Sequence, residues 1–249
     1  MLAKFSYYNY LNIFTFNIII MKIYALIPIK HNSDRVTGKN HRDFNGKPLF
    51  FWIINTVLSS TYIDKIIIDT DSKTIKELVP VHFIDFLDRI ILYDRPKHLQ
   101  GGHIATNDLF INVIQSLHLD ADYYFQTHTT NPLLKTSTIN EAIETFIGKK
   151  KEGYESLFSV KKHHTRFYDK EGNDMNHNRF KLIPTQELDP IYEENSCIYL
   201  FTKESILKYN ARIANKAYLY EMSDIESTDI DWPEDFNLAE ILHKYYTEL

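Results

Sequence analysis

The sequence predicts an α/β fold in which a mainly parallel sheet is flanked by helices and carries one small inserted arm. Three features predict it. From Lys22 onward, short runs rich in Ile, Val, Tyr and Phe alternate with longer segments of helical periodicity. The 249 residues hold no long Pro/Gly-rich linker, so one large domain, or a domain with an insertion, accounts for the length. Hydrophobic residues at 44% and charged residues at 24% match a folded globular chain, excluding disorder and a collagen-like fibre.

The elements follow in chain order. Leu11 to Ile20 is apolar, but Asn12 and Asn17 interrupt it, and extending it meets Lys22 and Pro28. A spanning helix wants about 20 predominantly apolar residues, so residues 1–20 read as an extension ahead of Met21. A membrane anchor or an extra strand are the alternatives, and no stable membrane association is expected. The domain itself takes in residues 21–249. Ile23 to Ile27 is the first strand, and Pro48 to Val57 a helix with proline in its opening turn. Lys65 to Asp69, Arg89 to Tyr93 and Asp122 to Gln126 are further strands, with helices at Asn107 to Leu117 and Ser137 to Ile147. Ser156 to Val160, Cys197 to Phe201 and Ala217 to Glu221 complete the strands, and Pro233 to Tyr246 closes the chain as a helix. Between Lys161 and Asn195 the pattern turns polar and His/Asn-rich without a clear period. A structureless loop of that length is unusual, so this segment is expected to be a small β-rich arm that covers the site or contacts a second subunit.

The formal charge of −5 argues against nucleic acid as a partner and leaves a small ligand. A single cysteine, Cys197, rules out an intramolecular disulfide and fits a reducing, cytoplasmic compartment; on an apolar strand it reads as core rather than nucleophile.

The segment IPIKHNSDRVTGKN, residues 27–40, leaves the first strand carrying Lys30, Arg35 and Lys39, with Asn32, Ser33, Gly38 and Asn40 between them. A loop at the carboxyl end of a parallel strand lies where α/β sheets bind ligands, and its amides and cations suit a polyphosphate. An ordinary solvated loop is the other reading, since the string matches neither the P-loop nor the dinucleotide glycine pattern.

Later strings agree with this loop in order: FNGKPLF at 44–50, IIIDTDS at 66–72, RP at 95–96, TNPLL at 130–134, SLFSV at 156–160, ENSCIYLF at 194–201 and DIDWPEDFNLAE at 229–240. Together they resemble the acylneuraminate cytidylyltransferases, the CMP-sialic acid synthetase family, across residues 22–245. The resemblance implies a Rossmann-like nucleotidyltransferase fold, CTP and an acidic nonulosonic sugar as substrates, a divalent metal and a homodimer. The sequence also departs from that pattern. Lys30 stands where many members carry Arg, Asp34 where Lys is frequent, Thr37 where Pro is common, His128 where a Gln often contacts the sugar, and Ser196-Cys197 where Gly-Ala is usual.

Asp229 and Asp231 lie at i and i+2 on an extended segment, so both carboxylates face one side and can converge on a hard cation; Mg²⁺ fits, and the resemblance puts the metal there. Acidity ahead of a helix N-terminus is the competing explanation, and Glu234 and Asp235 suit it. Asp69 and Asp71 form a D-x-D that alone suggests a glycosyltransferase metal site. The resemblance puts Asp71 beside the nucleotide, while a cap on the helix after Ser72 is the structural alternative. Arg95, Gln100 and Asn107 fall where the family contacts nucleotide, against a polar loop with a helix cap at Thr106. His163, His164, Arg166, His177 and Arg179 give the arm groups suited to a sugar carboxylate; their spacing does not favour zinc.

The expected activity is transfer of CMP from CTP to the anomeric hydroxyl of an acidic sugar. Lys30, Arg35 and Lys39 are expected on the triphosphate and Asp229 and Asp231 on magnesium. Ser33, Asn40, Asp71, Arg95 and Gln100 are expected among the nucleotide contacts, and His128, Asn131, Arg166 and Asn195 on the sugar side. A metal-dependent glycosyltransferase using Asp69 and Asp71, and a catalytically weak nucleotide- or sugar-binding paralogue, are the rival readings.

Overall fold

The computed structural model describes residues 21–33 and 35–247; the expectations for residues 1–20 and for Asp34 lie outside them. The first strand, β1 (Ile23–Ile29), alternates strictly. Ile23, Ala25, Ile27 and Ile29 enter one core and Leu26 another, so the strand is central and covered on both faces. Beyond it, the Asn45-Gly46 turn, both residues at positive φ, closes a two-residue hairpin of β2 (Asp43–Phe44) and β3 (Lys47–Pro48). Pro48 then serves as N-cap of α1 (Leu49–Leu58), one residue outside the helix rather than within its first turn.

Next come β4 (Lys65–Thr70), α2 (Lys73–His82), β5 (Ile90–Asp94), α3 (Thr106–Ser116) and β6 (Tyr123–Gln126). The cap of α2 is Ser72, whose Oγ accepts from the Ile75 amide, so Asp71 is not the cap. Thr106 is likewise the first residue of α3 and caps nothing; Ala105 occupies the N-cap. The chain continues through α4 (Thr136–Lys151), β7 (Ser156–His163), β8 (Ile191–Phe201), α5 (Lys203–Tyr209), β9 (Ala217–Glu221) and α6 (Pro233–Thr247).

The sheet order is β5-β4-β1-β6-β8-β7-β9. β1 pairs in parallel with β4 and β6, β4 with β5, and β7 with β9, whereas β8 runs antiparallel to both its neighbours. The sheet is therefore mainly parallel with one reversed strand. On one face Phe50, Ile53 and Val57 of α1, Val79 of α2 and Ile143 and Phe146 of α4 pack against β1, β4 and β8. On the other, Phe110, Val113 and Ile114 of α3 and Ile206 of α5 meet Leu26, Ile67 and Tyr199. Full burial of each such side chain stabilises by about 1.5–3 kcal/mol, and the two layers fix the sheet's carboxyl edge as a rigid platform. A third, smaller core of Val36, Phe44, Leu49, Ile230, Phe236 and Ala239 lays α6 over the loop that follows β1.

β7 and β8 continue beyond the sheet as an antiparallel hairpin out to His163 opposite Ile191. Its tip is held by local polar bonds, Asp169 accepting from the Glu171 and Asn173 amides and Asp174 from Arg179. Among the described residues no helix is long and apolar enough to cross a membrane.

Candidate active site

Two segments meet at the carboxyl edge of the sheet. One is the loop after β1; the other is the stretch leading into α6. Ile230 points into the third core, which turns Asp229 and Asp231 to the opposite side, as the alternation of an extended segment requires. The segment is pinned where the Ile230 amide donates to the Thr130 carbonyl and Asp235 caps α6 by accepting from the Asp231 and Trp232 amides. Lys39, nearly buried, crosses from the loop and donates its Nζ to the Ile230 carbonyl. Burial lowers the Lys39 pKa, while Asp229 and Asp231 act to restore it. Gly38 makes this possible: its φ is +63, and a Cβ there would come within 3.0 Å of the His41 ring.

Asp229 and Asp231 differ. Burial raises the Asp229 pKa, and one of its oxygens, Oδ1, is buried without a hydrogen-bond partner. Asp231 is half-exposed and lies 2.7 Å from Arg35 Nη1. Two carboxylates with an unsatisfied buried oxygen fit Mg²⁺, which is commonly held by one or two protein carboxylates with substrate phosphates and waters filling its shell. Among the described residues no group of three or more His, Cys, Asp or Glu gathers for a metal, so a cation on the two aspartates would draw its remaining ligands from substrate and water.

The loop is braced from behind. Asn40 donates to the Lys30 carbonyl at 2.8 Å and accepts from Thr129 Oγ1 at 2.6 Å, so its side chain positions the loop from within the core. Lys30 stays exposed and borders two adjoining hollows. One, of about 270 Å³, is also lined by Pro28, Gly101, Thr106 and His128. The other, of about 440 Å³, is also lined by Asn32, Asp71 and Gln100. Asp71 accepts from the His31 amide at 2.7 Å, and Gln100 donates to the Arg95 carbonyl at 2.9 Å. Ser33 is half-buried in the same loop.

Arg95 lines the first hollow, yet its guanidinium is occupied. Nε lies 3.1 Å from both carboxylate oxygens of Asp69, Nη2 donates to the Asp69 carbonyl, and both side chains are at most 4% exposed. The pair forms a buried strut between β4 and the segment after β5. Asp69 is thereby withdrawn from the D-x-D, which leaves Asp71 alone facing the hollow.

A third hollow, of about 430 Å³, lies on the other side of the aspartates and is lined by Lys161, Glu194, Asn195, Ser196, Asp229 and Asp231. A large bulge in β8 opens it: Phe158 pairs with Tyr199 but Val160 with Glu194. Within the bulge Ser196 adopts φ +58, and Asn195 accepts from Ser159 and the Cys197 amide while donating to Ser227. Burial, with the positive charges of Arg212 and Lys39, drives the His128 pKa down to about 3, so this ring is neutral at physiological pH. Cys197 is buried, its thiol pKa raised well above the usual value, and it is a core residue.

Two of the expected sugar-side residues are not brought to these hollows. Asn131 is fully buried with its amide directed at the Thr228 carbonyl, and Arg166 sits in the arm tip donating to the Ile183 carbonyl. Conversely, Lys161 and Glu194 line the third hollow without having been singled out in the sequence, and Arg212 approaches Glu194 from behind it. Lys161 and Glu194 flank the hairpin whose bulge exposes them, and Arg212 comes from the loop after α5, which carries no motif.

The family model described as cytidylyltransferase matches residues 24–248. Over 228 residues the chain is 27% identical to the N-acylneuraminate cytidylyltransferase of Streptococcus agalactiae, covering 87% of this chain and 52% of that protein. It thus spans about half the length of that relative. The CMP-N,N'-diacetyllegionaminic acid synthase of Legionella pneumophila is 29% identical over 231 residues, 89% of this chain and 96% of the relative. Among solved structures, a CMP:2-keto-3-deoxy-manno-octonic acid synthetase complexed with CTP superposes with a TM-score of 0.61 at 13% identity, over 92% of this chain and 100% of that one.

Proposed function

The chain belongs to the cytidylyltransferase family, and from that premise we propose that it transfers CMP from CTP to the anomeric hydroxyl of an acidic nonulosonic sugar. The observation that carries this reading is the junction of the Lys30–Lys39 loop with Asp229 and Asp231, with nucleotide-facing hollows on one side and a polar hollow on the other. Lys30, Arg35 and Lys39 neutralise the triphosphate. Asp229 and Asp231 hold Mg²⁺, which when bound offsets charge on the phosphate oxygens. The sugar's anomeric oxygen forms a bond to the α-phosphorus as the bond to the β-phosphate oxygen breaks. Pyrophosphate departs with the electron pair, and the hydroxyl proton passes to solvent. Alignment and charge neutralisation supply most of the acceleration.

The N-acylneuraminate and diacetyllegionaminic relatives support a nonulosonate acceptor. Neutral His128 lines one nucleotide-side hollow and Asn195 lines the hollow assigned to the sugar. The Asp69–Arg95 strut speaks against the glycosyltransferase alternative, because a metal shared by Asp69 and Asp71 needs both carboxylates free. The exposed arm tip, with Phe180, Leu182 and Met175 projecting, supports self-association as a homodimer.

The test is pyrophosphate release by the full chain with CTP, Mg²⁺ and a panel of sialic, legionaminic, pseudaminic and 3-deoxyoctulosonic acids. Metal-dependent release with at least one acid is expected. CTP binding without release across the whole panel would overturn the reading in favour of a catalytically weak paralogue.

A further inference from the structure

The hollow expected to take the sugar is acidic: Glu194, Asp229 and Asp231 line it, and its one lining cation, Lys161, lies 3.4 Å from Asp224. A carboxylate-bearing acceptor therefore needs a cation from elsewhere, and Arg212 approaches Glu194 at the wall of this hollow. The Arg212 side chain is 16% exposed, with its guanidinium carbon 3.8 Å from the centre of the Tyr199 ring. Nη1 donates to Gln126 Oε1 at 2.8 Å, and the Arg212 amide donates to Asn107 Oδ1 at 3.2 Å, which fixes the loop.

The rest of the guanidinium is poorly matched. Nη2 lies 3.8 Å from Glu194 Oε1, too far for a hydrogen bond. Glu194 is instead held by the Tyr199 hydroxyl, which donates to it. Close by, the Gln126 amide nitrogen and the Thr127 hydroxyl are buried without partners. Donors outnumber acceptors at this point, and a buried guanidinium left half-paired is costly unless a planar anion completes it.

We propose that Arg212 is the specificity-determining cation that reads the carboxylate of the acceptor sugar. The Glu194 carboxylate occupies a loose version of that place, and the sugar's carboxylate takes two of the fork's remaining donors. Tyr199 holds the guanidinium flat from beneath. This inference rests on the proposed transfer to an acidic sugar.

The experiment compares each acid that wild-type enzyme accepts with its methyl ester, in wild type, Arg212→Met and Arg212→Lys. Loss of a charge-assisted pair corresponds to about a 10- to 100-fold change. The wild type should prefer acid over ester by at least that factor. Arg212→Met should lose the preference through a higher KM for the acid with the KM for CTP unchanged, and Arg212→Lys should recover part of it. An undiminished acid-to-ester ratio in folded Arg212→Met or Arg212→Lys, or equal rises in both KM values, overturns the assignment. A wild type that turns over no acid instead removes the function on which it rests.

Discussion

Arg35 Nη1 and Asp231 Oδ2 lie 2.7 Å apart, each side chain 47% exposed, so a cation assigned to the triphosphate and a carboxylate assigned to magnesium hold one another. An exposed pair of this kind contributes roughly 0–1 kcal/mol, so both groups exchange partners at little cost when substrate and metal arrive. Asp231→Ala should therefore leave thermal stability nearly unchanged while lowering kcat by about 100-fold or more, the scale of losing a preorganised electrostatic contact. Arg35→Ala should act mainly on the KM for CTP. Steady-state kinetics beside a melting curve distinguish these outcomes from unfolding.

The Asp69–Arg95 strut predicts the opposite behaviour. Removing one member of a buried ion pair strands the other, at a cost of about 3–5 kcal/mol. Asp69→Ala should be severely destabilised in urea titration, whereas Asp71→Asn should melt close to wild type. Equal stability of the two variants contradicts the structural role of Asp69.

These contrasts mark what the sequence made legible. The strand positions were readable because each apolar run is bounded by polar turns, and the phosphate-facing loop and the aspartate pair because they are local strings. The reversal of β8 was not. A strand buried on both faces reads as the same apolar run in either direction, and only the pairing of Tyr124 with Phe201 and Gln126 with Tyr199 sets its sense. The tie of Arg95 to Asp69 was not legible, because the two lie 26 residues apart. Arg212 was invisible for the same reason, since its neighbours Gln126, Glu194 and Tyr199 come from two other strands. Ser196 is the instructive departure. Its φ of +58 explains why glycine suits that place, and the serine tolerates a conformation costing roughly 1–2 kcal/mol.

His128 supplies a pH prediction. Its folded-state pKa of about 3 lies below the ordinary 6.5 of the unfolded chain. Between those values the unfolded chain takes up a proton that the folded ring does not, so stability is full above about pH 6.5 and falls as pH drops toward 3. His128→Gln, neutral in both states, should flatten that part of a plot of melting temperature against pH. Wild-type kcat should show no ionisation assignable to His128 between about pH 5 and 9.

The arm tip yields a prediction on assembly. Phe180 is 93% exposed and Leu182 68%. Phe180→Asp with Leu182→Asp should convert a dimer to a monomer in sedimentation equilibrium without lowering the stability of the sheet domain. An unchanged mass would remove the arm from the interface.

The central claim is that CMP moves from CTP to the sugar's anomeric oxygen. Mass spectrometry of a reaction containing CTP, Mg²⁺ and a nonulosonic acid labelled with ¹⁸O at the anomeric hydroxyl tests it directly. The account predicts a CMP-sugar retaining the label, formed in equal amount with unlabelled pyrophosphate. Label found in pyrophosphate or CMP, or consumption of a supplied CMP-sugar with no synthesis from CTP, would contradict it.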